Sequence, residues 1–249
     1  MKSRIKKGGE NLKSTIYKQA EKERVSLVSM TAHQLRTPLI SMKWICEMLL
    51  KGDGGKLSSQ QEELIKELSA SVQHMNDLVS HLLSVARIES GQLLLELKPV
   101  NLNDFYNKLI VELQPSISRK SHSVSFKISG DVPQVKTDLI ILSEILKNLL
   151  SNSIKYTPDK GRIEVFVSLK GKEILFSVKD NGLGIPKDQQ LKVFQKFFRG
   201  SNAVRLTNDG TGLGLYIVKN LIQLLGGKIW FESKENKGTT FYFTLPIRR

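Results

Sequence analysis

Apolar residues in the first part of the chain recur at alternating steps of three and four. This spacing is typical of helices that pack along one continuous seam. In the first stretch the seam positions are Val25, Val28, Ala32, Leu35, Leu39, Met42, Cys46 and Leu49. In the second stretch they are Leu64, Leu68, Ser71, Met75, Leu78, Leu82 and Val85, which are apolar except for the serine. The spacing therefore predicts two long helices.

The segment between these helices carries signals for a turn and a new helix start. Glycines interrupt the pattern over residues 51–56, and Ser58 followed three residues later by Gln61 has the spacing of a capping box. Gly91 offers a C-terminal stop for the second helix. The two helices should therefore form an antiparallel hairpin. Because one hairpin has too little interior for two wide apolar faces, we predict that two copies pair into a four-helix bundle as a homodimer.

Beyond the hairpin, short alternating runs mix with helical patterns, which is typical of an α/β domain. Helices are expected over 102–114 and from Asp138 onward. Strands are expected over 124–128, 163–168, 174–180, 228–233 and 240–245. Their alternation suits a sheet covered by helices on one face, so we predict a two-layer α/β sandwich. Upstream of Val25 the seam positions hold charged residues, so the register should slip or fray there. The predicted division is a helical linker (1–24), the hairpin (25–92) and the α/β domain (93–249).

Composition narrows the class of protein. A length of 249 residues allows about two domains. The single cysteine, Cys46, cannot form an internal disulfide, which fits a reducing cytoplasm. We expect no signal peptide and no membrane segment in this sequence, although sensor or membrane segments could lie outside it. A formal net charge of +14 favours acidic partners. Since there is no nucleic-acid recognition motif, we expect no nucleic-acid partner.

One histidine stands out by its position on the first helix. His33 follows the seam residue Ala32, so its imidazole should face water. Pro38 removes the backbone hydrogen bond to Gln34, a defect that costs about 3 kcal/mol inside a helix, and we expect a bend just after His33. The other histidines carry weaker signals. His74 and His81 share an edge of the second helix, where packing or metal binding remain open, and His122 is expected at the surface.

The run His-Gln-Leu-Arg-Thr-Pro-Leu at 33–39 resembles the phosphoacceptor box of sensor histidine kinases. The resemblance implies that His33 attacks the γ-phosphorus of ATP. Gln34 stands where the family usually has an acidic residue, and a carboxamide can orient a ring N–H but cannot take a proton. Slow autophosphorylation is therefore expected. Thr37 matches the position that orients water when the family dephosphorylates its partner, with an ordinary exposed helix threonine as the alternative.

The helix after Asp138 carries a polar stripe beside its apolar face. Glu144, Asn148, Asn152 and Lys155 recur at steps of about four, followed by Tyr156. The string NLLSNSIKYTP resembles the asparagine box of the same family, which implies an ATP-binding domain of the GHKL type. By that resemblance Asn152 ligates Mg²⁺, Asn148 and Lys155 support the metal and phosphates, and Tyr156 packs by the nucleotide.

The next strand places an aspartate on an apolar face. Ile174, Phe176 and Val178 point the same way as Asp180, and an unpaired buried carboxylate is costly. The following segment, 180–186, reads DNGLGIP and resembles the first glycine box of this ATPase superfamily. The resemblance implies that Asp180 accepts a hydrogen bond from the adenine amine and that Gly182 and Gly184 allow close backbone approach. A simple turn between strand and helix is the alternative.

The last motifs follow in the family's order. Phe194, Phe197 and Arg199 match the phenylalanine box, which implies that Arg199 meets the transferring phosphoryl group. A polar stretch at 200–209 is predicted to be a mobile lid. The second glycine box resembles the family's phosphate loop, at a helix start whose backbone N–H groups hold phosphates. Its residues are Gly210, Thr211, Gly212, Leu213 and Gly214.

Together these motifs predict ATP-dependent autophosphorylation on His33 and transfer of the phosphoryl group to an aspartate of a response-regulator receiver domain, with phosphatase activity as a further role. ATP and Mg²⁺ are the expected cofactors. A nucleotide-binding scaffold without transfer is one alternative, supported by Gln34. A related ATPase of the gyrase, chaperone or mismatch-repair branch is another, although it has no reason to carry the hairpin. The sequence leaves open the stimulus, the regulator and whether His33 is reached within one subunit or across the dimer.

Overall fold

The structure, a computed structural model, describes residues 2–91, 93–130, 132, 134–207 and 210–247, with residues 2–24 and residue 26 as backbone only. The chain divides into two compact units, Met1–Leu93 and Leu94–Arg249. In its described part the first unit is helical, and the second combines helices with sheets.

The first unit is a helical hairpin. Helix α1 spans Lys2–Lys51 and helix α2 spans Ser59–Glu89. The predicted capping box is confirmed, because Gln61 N donates to Ser58 Oγ at 3.3 Å and Ser58 N donates to Gln61 Oε1 at 2.9 Å. Beyond α2, Gly91 has a φ of 64°, the left-handed conformation that ends helices. The sequence signals for the turn and for both ends of α2 were therefore sufficient.

Helix α1 continues through the segment where we expected the register to slip or fray. Its backbone is helical from Lys2, and Pro38 lies inside it. The upstream segment is rich in Lys, Glu and Arg, whose helix propensities favour continuation even where the seam holds charges. The bend expected after His33 stays a prediction.

The hairpin has an interior and a second apolar face. The interior cluster consists of Ala32, Leu39, Val72, Val79 and Leu83, with Val28 packed against it. Val72, Val79 and Leu83 lie beside the predicted seam of α2 rather than on it. Several residues of the two predicted seams are exposed in the single chain, with exposed fractions from 40% to 59%: Leu35, Met42, Leu64, Leu68, Met75 and Leu82. One hairpin therefore buries only part of the apolar surface that its heptad pattern provides.

The second unit is an α/β domain. Its helices are α3 (Leu102–Arg119), α4 (Leu139–Tyr156), α5 (Ser201–Leu206) and α6 (Gly214–Leu224). Its strands are β1 (Lys98–Val100), β2 (Ser123–Ser129), β3 (Val135–Thr137), β4 (Arg162–Lys170), β5 (Glu173–Asp180), β6 (Ile229–Lys234) and β7 (Gly238–Pro246). A 3₁₀ helix spans Lys187–Lys192.

The main sheet has the strand order β2-β4-β5-β7-β6. Strands β2 and β4 are parallel, and the remaining neighbours are antiparallel. Alternate residues of β4 are buried on one face, namely Ile163, Val165 and Val167. Helix α4 supplies a fully buried face of leucines and isoleucines. The two layers predicted from the sequence are therefore confirmed.

Two short strands and one short helix were not predicted. Strands β1 and β3 form a separate antiparallel pair, and β1 lies just before the helix that was expected over 102–114. Helix α5 lies in the polar stretch predicted to be a lid, of which residues 208 and 209 are outside the described residues. Asn202 on α5 donates to the carbonyl of Gly184 at 2.9 Å. This distant contact anchors the helix, so local periodicity could not reveal it. Mobility of the lid stays a prediction.

Candidate functional site

His33 lies on the outside of helix α1. Its side chain is exposed, whereas the preceding residue, Ala32, is buried against α2. Gln34 and Thr37 are also exposed. Thr37 Oγ1 donates to the carbonyl of His33 at 3.4 Å, one turn back along the helix. The imidazole is therefore presented to solvent by a rigid helix, as the seam position predicted.

The polar stripe of α4 is half-buried and lies next to that helix's apolar face. Asp138 caps the helix, accepting from the backbone N–H groups of residues 140 and 141 at 3.0 and 3.1 Å. Asn148 Nδ2 donates to the carbonyl of Glu144 at 2.9 Å. The Asn148 side-chain oxygen takes no part in that bond. The Lys155 ammonium lies 5.7 Å from the centre of the Tyr156 ring. The helix thus carries amide, ammonium and phenol groups along one ridge, with Asn152 between them.

Asp180 ends β5 and is held by three donors. Gly182 N and Thr239 N donate to Oδ1 at 2.9 and 3.1 Å, and Ser153 Oγ donates to Oδ2 at 3.2 Å. Burial raises the pKa of the Asp180 carboxyl above its ordinary value of 3.8, and these hydrogen bonds oppose the rise. The hydrogen bonds therefore fix the orientation of the carboxylate, which is partly shielded from solvent.

The first glycine box packs against the end of α4. A Cβ atom on Gly182 would lie 2.6 Å from the carbonyl oxygen of Tyr156, and Leu183 N donates to that same oxygen at 3.1 Å. Gly184 has a φ of 63°, and a Cβ atom there would collide with the carbonyl oxygen of Lys234. Only glycine fits at these two positions. The close approach brings the DNGLGIP segment beside Tyr156 and Asp180.

The second glycine box lies against residues of the other motifs. A Cβ atom on Gly210 would lie 3.0 Å from Lys155 Nζ, and one on Gly214 would lie 2.6 Å from Asn148 Oδ1. A Cβ atom on Gly212, whose φ is 69°, would lie 2.6 Å from the backbone of Phe197. The box is therefore enclosed by α4 on one side and by the phenylalanine box on the other.

The backbone of this box turns directly into α6. Leu213 is fully buried, and its N–H donates to Thr211 Oγ1 at 3.2 Å. Gly214 is the first residue of α6, so the N–H groups of the first helical turn begin at the box. Such N–H groups have no partners within the helix and favour a negatively charged ligand. The arrangement suits phosphate groups.

Arg199 lies beside the second glycine box. Its guanidinium carbon would be 3.6 Å from a Cβ atom on Gly210. Its Nη2 atom donates to the carbonyl of Thr207 at 2.5 Å and to that of Ala203 at 3.5 Å, at the end of α5. The guanidinium is thus close to the predicted phosphate loop and is also hydrogen-bonded to backbone carbonyls in and after α5.

These observations bring most of the predicted site residues together in the second unit. Asn148, Lys155, Tyr156 and Asp180 lie around the two glycine boxes, with Arg199 at one edge. His33, Gln34 and Thr37 belong to the first unit. Ser153 and Thr239, which hold the Asp180 carboxylate, were not predicted. Ser153 lies one position after Asn152 inside the asparagine box, whereas nothing near Thr239 indicated its role.

Comparison with protein families assigns both units. Residues 23–91 match the family model of the His Kinase A (phospho-acceptor) domain. Residues 137–249 match the model of the histidine kinase-, DNA gyrase B-, and HSP90-like ATPase. The chain belongs to the sensor histidine kinases. The gyrase and chaperone branches share the second model, and the phospho-acceptor match separates this histidine kinase from them.

Individual relatives agree with that assignment. The circadian input-output histidine kinase CikA of Synechococcus elongatus is 33% identical over 217 residues, which are 86% of this chain and 29% of CikA. Full-length ShkA, solved in complex with AMPPNP, is 27% identical with a TM-score of 0.70 and covers 89% of this chain and 45% of its own. The catalytic domain of histidine kinase ThkA is 30% identical with a TM-score of 0.54, over 61% of this chain and 96% of its own.

ThkA has also been solved in complex with the response regulator protein TrrA, at 25% identity and a TM-score of 0.63, over 92% of this chain and 64% of that one. The histidine kinase described here spans about a third of the length of CikA and less than half of ShkA. Among its described residues, no helix combines the length and the apolar character needed to cross a membrane.

Proposed function

We propose that this histidine kinase transfers the γ-phosphoryl group of ATP to His33 and then to an aspartate of a response-regulator receiver domain. The observation that carries the proposal is the enclosure of two glycine boxes by Asn148, Lys155, Tyr156 and Asp180, on a chain that also exposes a histidine on a long helix. A scaffold that only bound nucleotide would need the first feature but not the second.

In the nucleotide site each residue has one task. The Asp180 carboxylate, fixed by Gly182 N and Thr239 N, accepts a hydrogen bond from the adenine amine. Tyr156 lies beside the base, and Lys155 and the N–H groups at the start of α6 hold the phosphates. Arg199 stabilises charge on the phosphoryl group that is transferred. These tasks follow from the chemistry of the groups and from their positions around the glycine boxes.

The residues of α4 also fit a magnesium ion. Amide oxygens are hard ligands of the kind that Mg²⁺ accepts, and Asn152 and Asn148 lie one helical turn apart on the stripe that faces the second glycine box. Asn152 would bind the ion and Asn148 would support it. When bound, the ion would neutralise negative charge on the phosphates.

At His33 the chemistry needs an unprotonated ring nitrogen. A neutral imidazole nitrogen forms the new bond to the γ-phosphorus while the bond to the β-γ bridging oxygen breaks and ADP leaves. Gln34 can accept a hydrogen bond from the other ring N–H and orient the ring, but it cannot take up its proton, so that proton leaves to solvent water. In the second step the N–P bond breaks as a receiver carboxylate takes the phosphoryl group. In the phosphatase reaction Thr37, exposed one turn from His33, would orient a water molecule that hydrolyses the receiver's aspartyl phosphate to aspartate and inorganic phosphate.

Two partners follow from this proposal. A second copy of the chain would cover the exposed seam residues of the hairpin, giving the four-helix bundle and homodimer. Among the described residues of one chain, the side chains of Leu35, Leu64 and Leu68 are exposed to solvent. A receiver domain would approach His33, as the ThkA relative in complex with a response regulator suggests. The division into 1–24, 25–92 and 93–249 and a cytoplasmic location belong to the same proposal.

The test is transfer from γ-labelled ATP in the presence of Mg²⁺. We expect covalently bound label that is lost in acid and stable in alkali, the behaviour of a phosphorus-nitrogen bond. Addition of a receiver domain should move the label to it. Protein that binds ATP but never becomes labelled would favour the scaffold, and release of free phosphate without protein-bound label would favour a simple ATPase.

Replacing Gln34 by glutamate should accelerate autophosphorylation, because a carboxylate next to His33 can accept the ring proton that a carboxamide cannot. General-base assistance contributes about 100-fold or more where it is well placed, so we expect an increase of about tenfold or more in the initial rate of labelling. Gln60→Glu, at an exposed position of α2, is the matched control for the added charge. An unchanged or slower rate in Gln34→Glu would contradict this role.

A further inference from the structure

Three carbonyl groups at the C-terminal end of α4 share one lysine. Lys120 Nζ lies 3.1 Å from the carbonyl oxygen of Ile154, 2.7 Å from that of Lys155 and 3.1 Å from that of Thr157. An ammonium group has three protons and no acceptor, so these three bonds use its whole donor capacity. Lys120 is half-buried and lies at the end of α3, far along the chain from α4.

The last turn of a helix leaves carbonyl groups without partners in the helix. At the end of α4, Ser153 O accepts from Thr157 N at 3.0 Å, and Tyr156 O accepts from Leu183 N at 3.1 Å. The remaining carbonyls of this turn, those of residues 154 and 155, accept from Lys120. A cation at this position is also favoured by the negative end of the helix dipole. The lysine therefore completes the hydrogen bonding of a helix end that would otherwise need water.

The turn that contains Lys120 is joined to the turn after α4 by further bonds. Lys160 N donates to the carbonyl of Lys120 at 2.8 Å, and Ser123 N donates to the carbonyl of Gly161 at 2.9 Å. His122 Nε2 lies 3.0 Å from the carbonyl oxygen of Pro158. These bonds fix the backbone around Lys120 to the turn after α4. The Lys120 side chain therefore starts from a fixed point close to the carbonyl groups that it binds.

The same helix end borders the proposed nucleotide site. Lys155 and Tyr156 lie in this last turn. The carbonyl oxygen of Tyr156 accepts a hydrogen bond from Leu183 N and packs against Gly182. Gly182 N in turn donates to Asp180 Oδ1. A shift of the helix end would therefore displace the phosphate-binding lysine, the ring beside the base and the first glycine box together.

We propose that Lys120 is a positioning residue for ATP: its ammonium group fixes the C-terminal turn of α4 and thereby the placement of Lys155, Tyr156 and the first glycine box. The inference rests on the proposed function, since it concerns the same nucleotide site. The three hydrogen bonds of the Lys120 ammonium group go to backbone carbonyl groups. Lys120 acts through these carbonyls, and it is separate from the motifs that identify the family.

The test compares Lys120→Met with Lys127→Met. Both variants lose one positive charge, but Lys127 is exposed on the neighbouring strand β2. In Lys120→Met we expect the KM for ATP in autophosphorylation to rise about tenfold, the effect of losing charge-assisted bonds, while kcat at saturating ATP stays within about twofold. Lys120→Arg should restore most of the affinity, because a guanidinium also donates several hydrogen bonds. Lys127→Met should behave as the wild type.

A second measurement needs no nucleotide. Amide hydrogen exchange of the nucleotide-free protein should become faster in Lys120→Met at Thr157, Lys160 and Leu183, whose N–H groups are bonded in and around the turn, and should stay unchanged in Lys127→Met. An unchanged KM, or a loss of kcat and melting temperature without a change in KM, would overturn the positioning role. If the wild type proves unable to transfer label, the proposed function fails, and unchanged exchange in Lys120→Met would separately overturn the role assigned to Lys120.

Discussion

Replacing His33 by alanine should abolish the incorporation of label from γ-labelled ATP while leaving ATP binding intact. The ring nitrogen is the atom that forms the bond to phosphorus, and alanine offers no nucleophile in its place. The residues that enclose the proposed nucleotide site belong to the other unit of the chain, so the affinity for ATP should be unchanged. His33 is exposed on α1, and alanine has the higher helix propensity, so the melting temperature should not fall.

The chain supplies matched controls for this experiment. His74 and His81 are half-buried on α2, and their replacement by alanine removes an imidazole from the same hairpin. Both variants should keep the label, provided that they fold. Label that persists in His33→Ala would show that another residue accepts the phosphoryl group. Label lost in every variant would indicate a folding defect, which melting curves detect. Label lost in His33→Ala alone supports the assignment.

Regular periodicity explains why the helices could be predicted. The heptad pattern of the hairpin and the apolar face of α4 extend over many residues, so each local signal is repeated, and the structure confirms both. Strands β1 and β3 are three residues long and carry no such repetition. They exist because Val100 and Val135 are buried in the domain, a condition that the sequence alone does not reveal.

The alternation along β5 correctly predicted that Asp180 shares a face with buried residues, since Ile174, Phe176 and Val178 are all buried. Its partners could not be predicted in the same way. Thr239, which donates to its carboxylate, follows it by 59 residues and reaches it only because β5 and β7 are neighbours. Long-range pairing of this kind leaves no local pattern.

The expectation for His122 was wrong for a related reason. It was expected at the surface, but only 8% of the residue is exposed, because its ring is packed against the turn after α4 and bonded to the carbonyl of Pro158. Neighbouring Lys120 gave no signal as a positioning residue in the sequence, since its three partners lie more than thirty residues away. Both residues belong to a junction of two turns that forms only when the domain folds.

Replacing Asp180 by asparagine should weaken ATP binding by about 100-fold, the effect of losing a hydrogen bond to a charged acceptor and leaving polar groups unpaired. The new side chain can keep its oxygen toward Gly182 N and Thr239 N, which donate to Oδ1 in the wild type. Its NH₂ group then takes the place of Oδ2, next to Ser153, and meets the adenine amine as a second donor. Calorimetric titration with an ATP analogue measures the change.

The same substitution should not destabilise the nucleotide-free protein at neutral pH. Burial raises the pKa of the Asp180 carboxyl above 3.8, so the folded state binds this proton more tightly than the unfolded state does. The stability that this carboxyl contributes is fully present below that value and is lost as the pH rises through the raised pKa. The carboxamide of the variant would carry no charge at any pH. The melting temperature of Asp180→Asn relative to the wild type should therefore be higher at pH 8 than at pH 4.

Melting curves and binding together separate recognition of adenine from folding. Asp159→Asn removes the same charge from an exposed turn and should change neither measurement. If Asp180→Asn binds ATP as tightly as the wild type, the carboxylate does not recognise the base. If its relative melting temperature falls as the pH rises, the favourable bonds from Gly182 N and Thr239 N outweigh desolvation, and the carboxylate is held in the fold for stability. We expect Asp180→Asn to bind ATP weakly and to be as stable as the wild type, because the carboxylate serves to recognise adenine rather than to stabilise the fold.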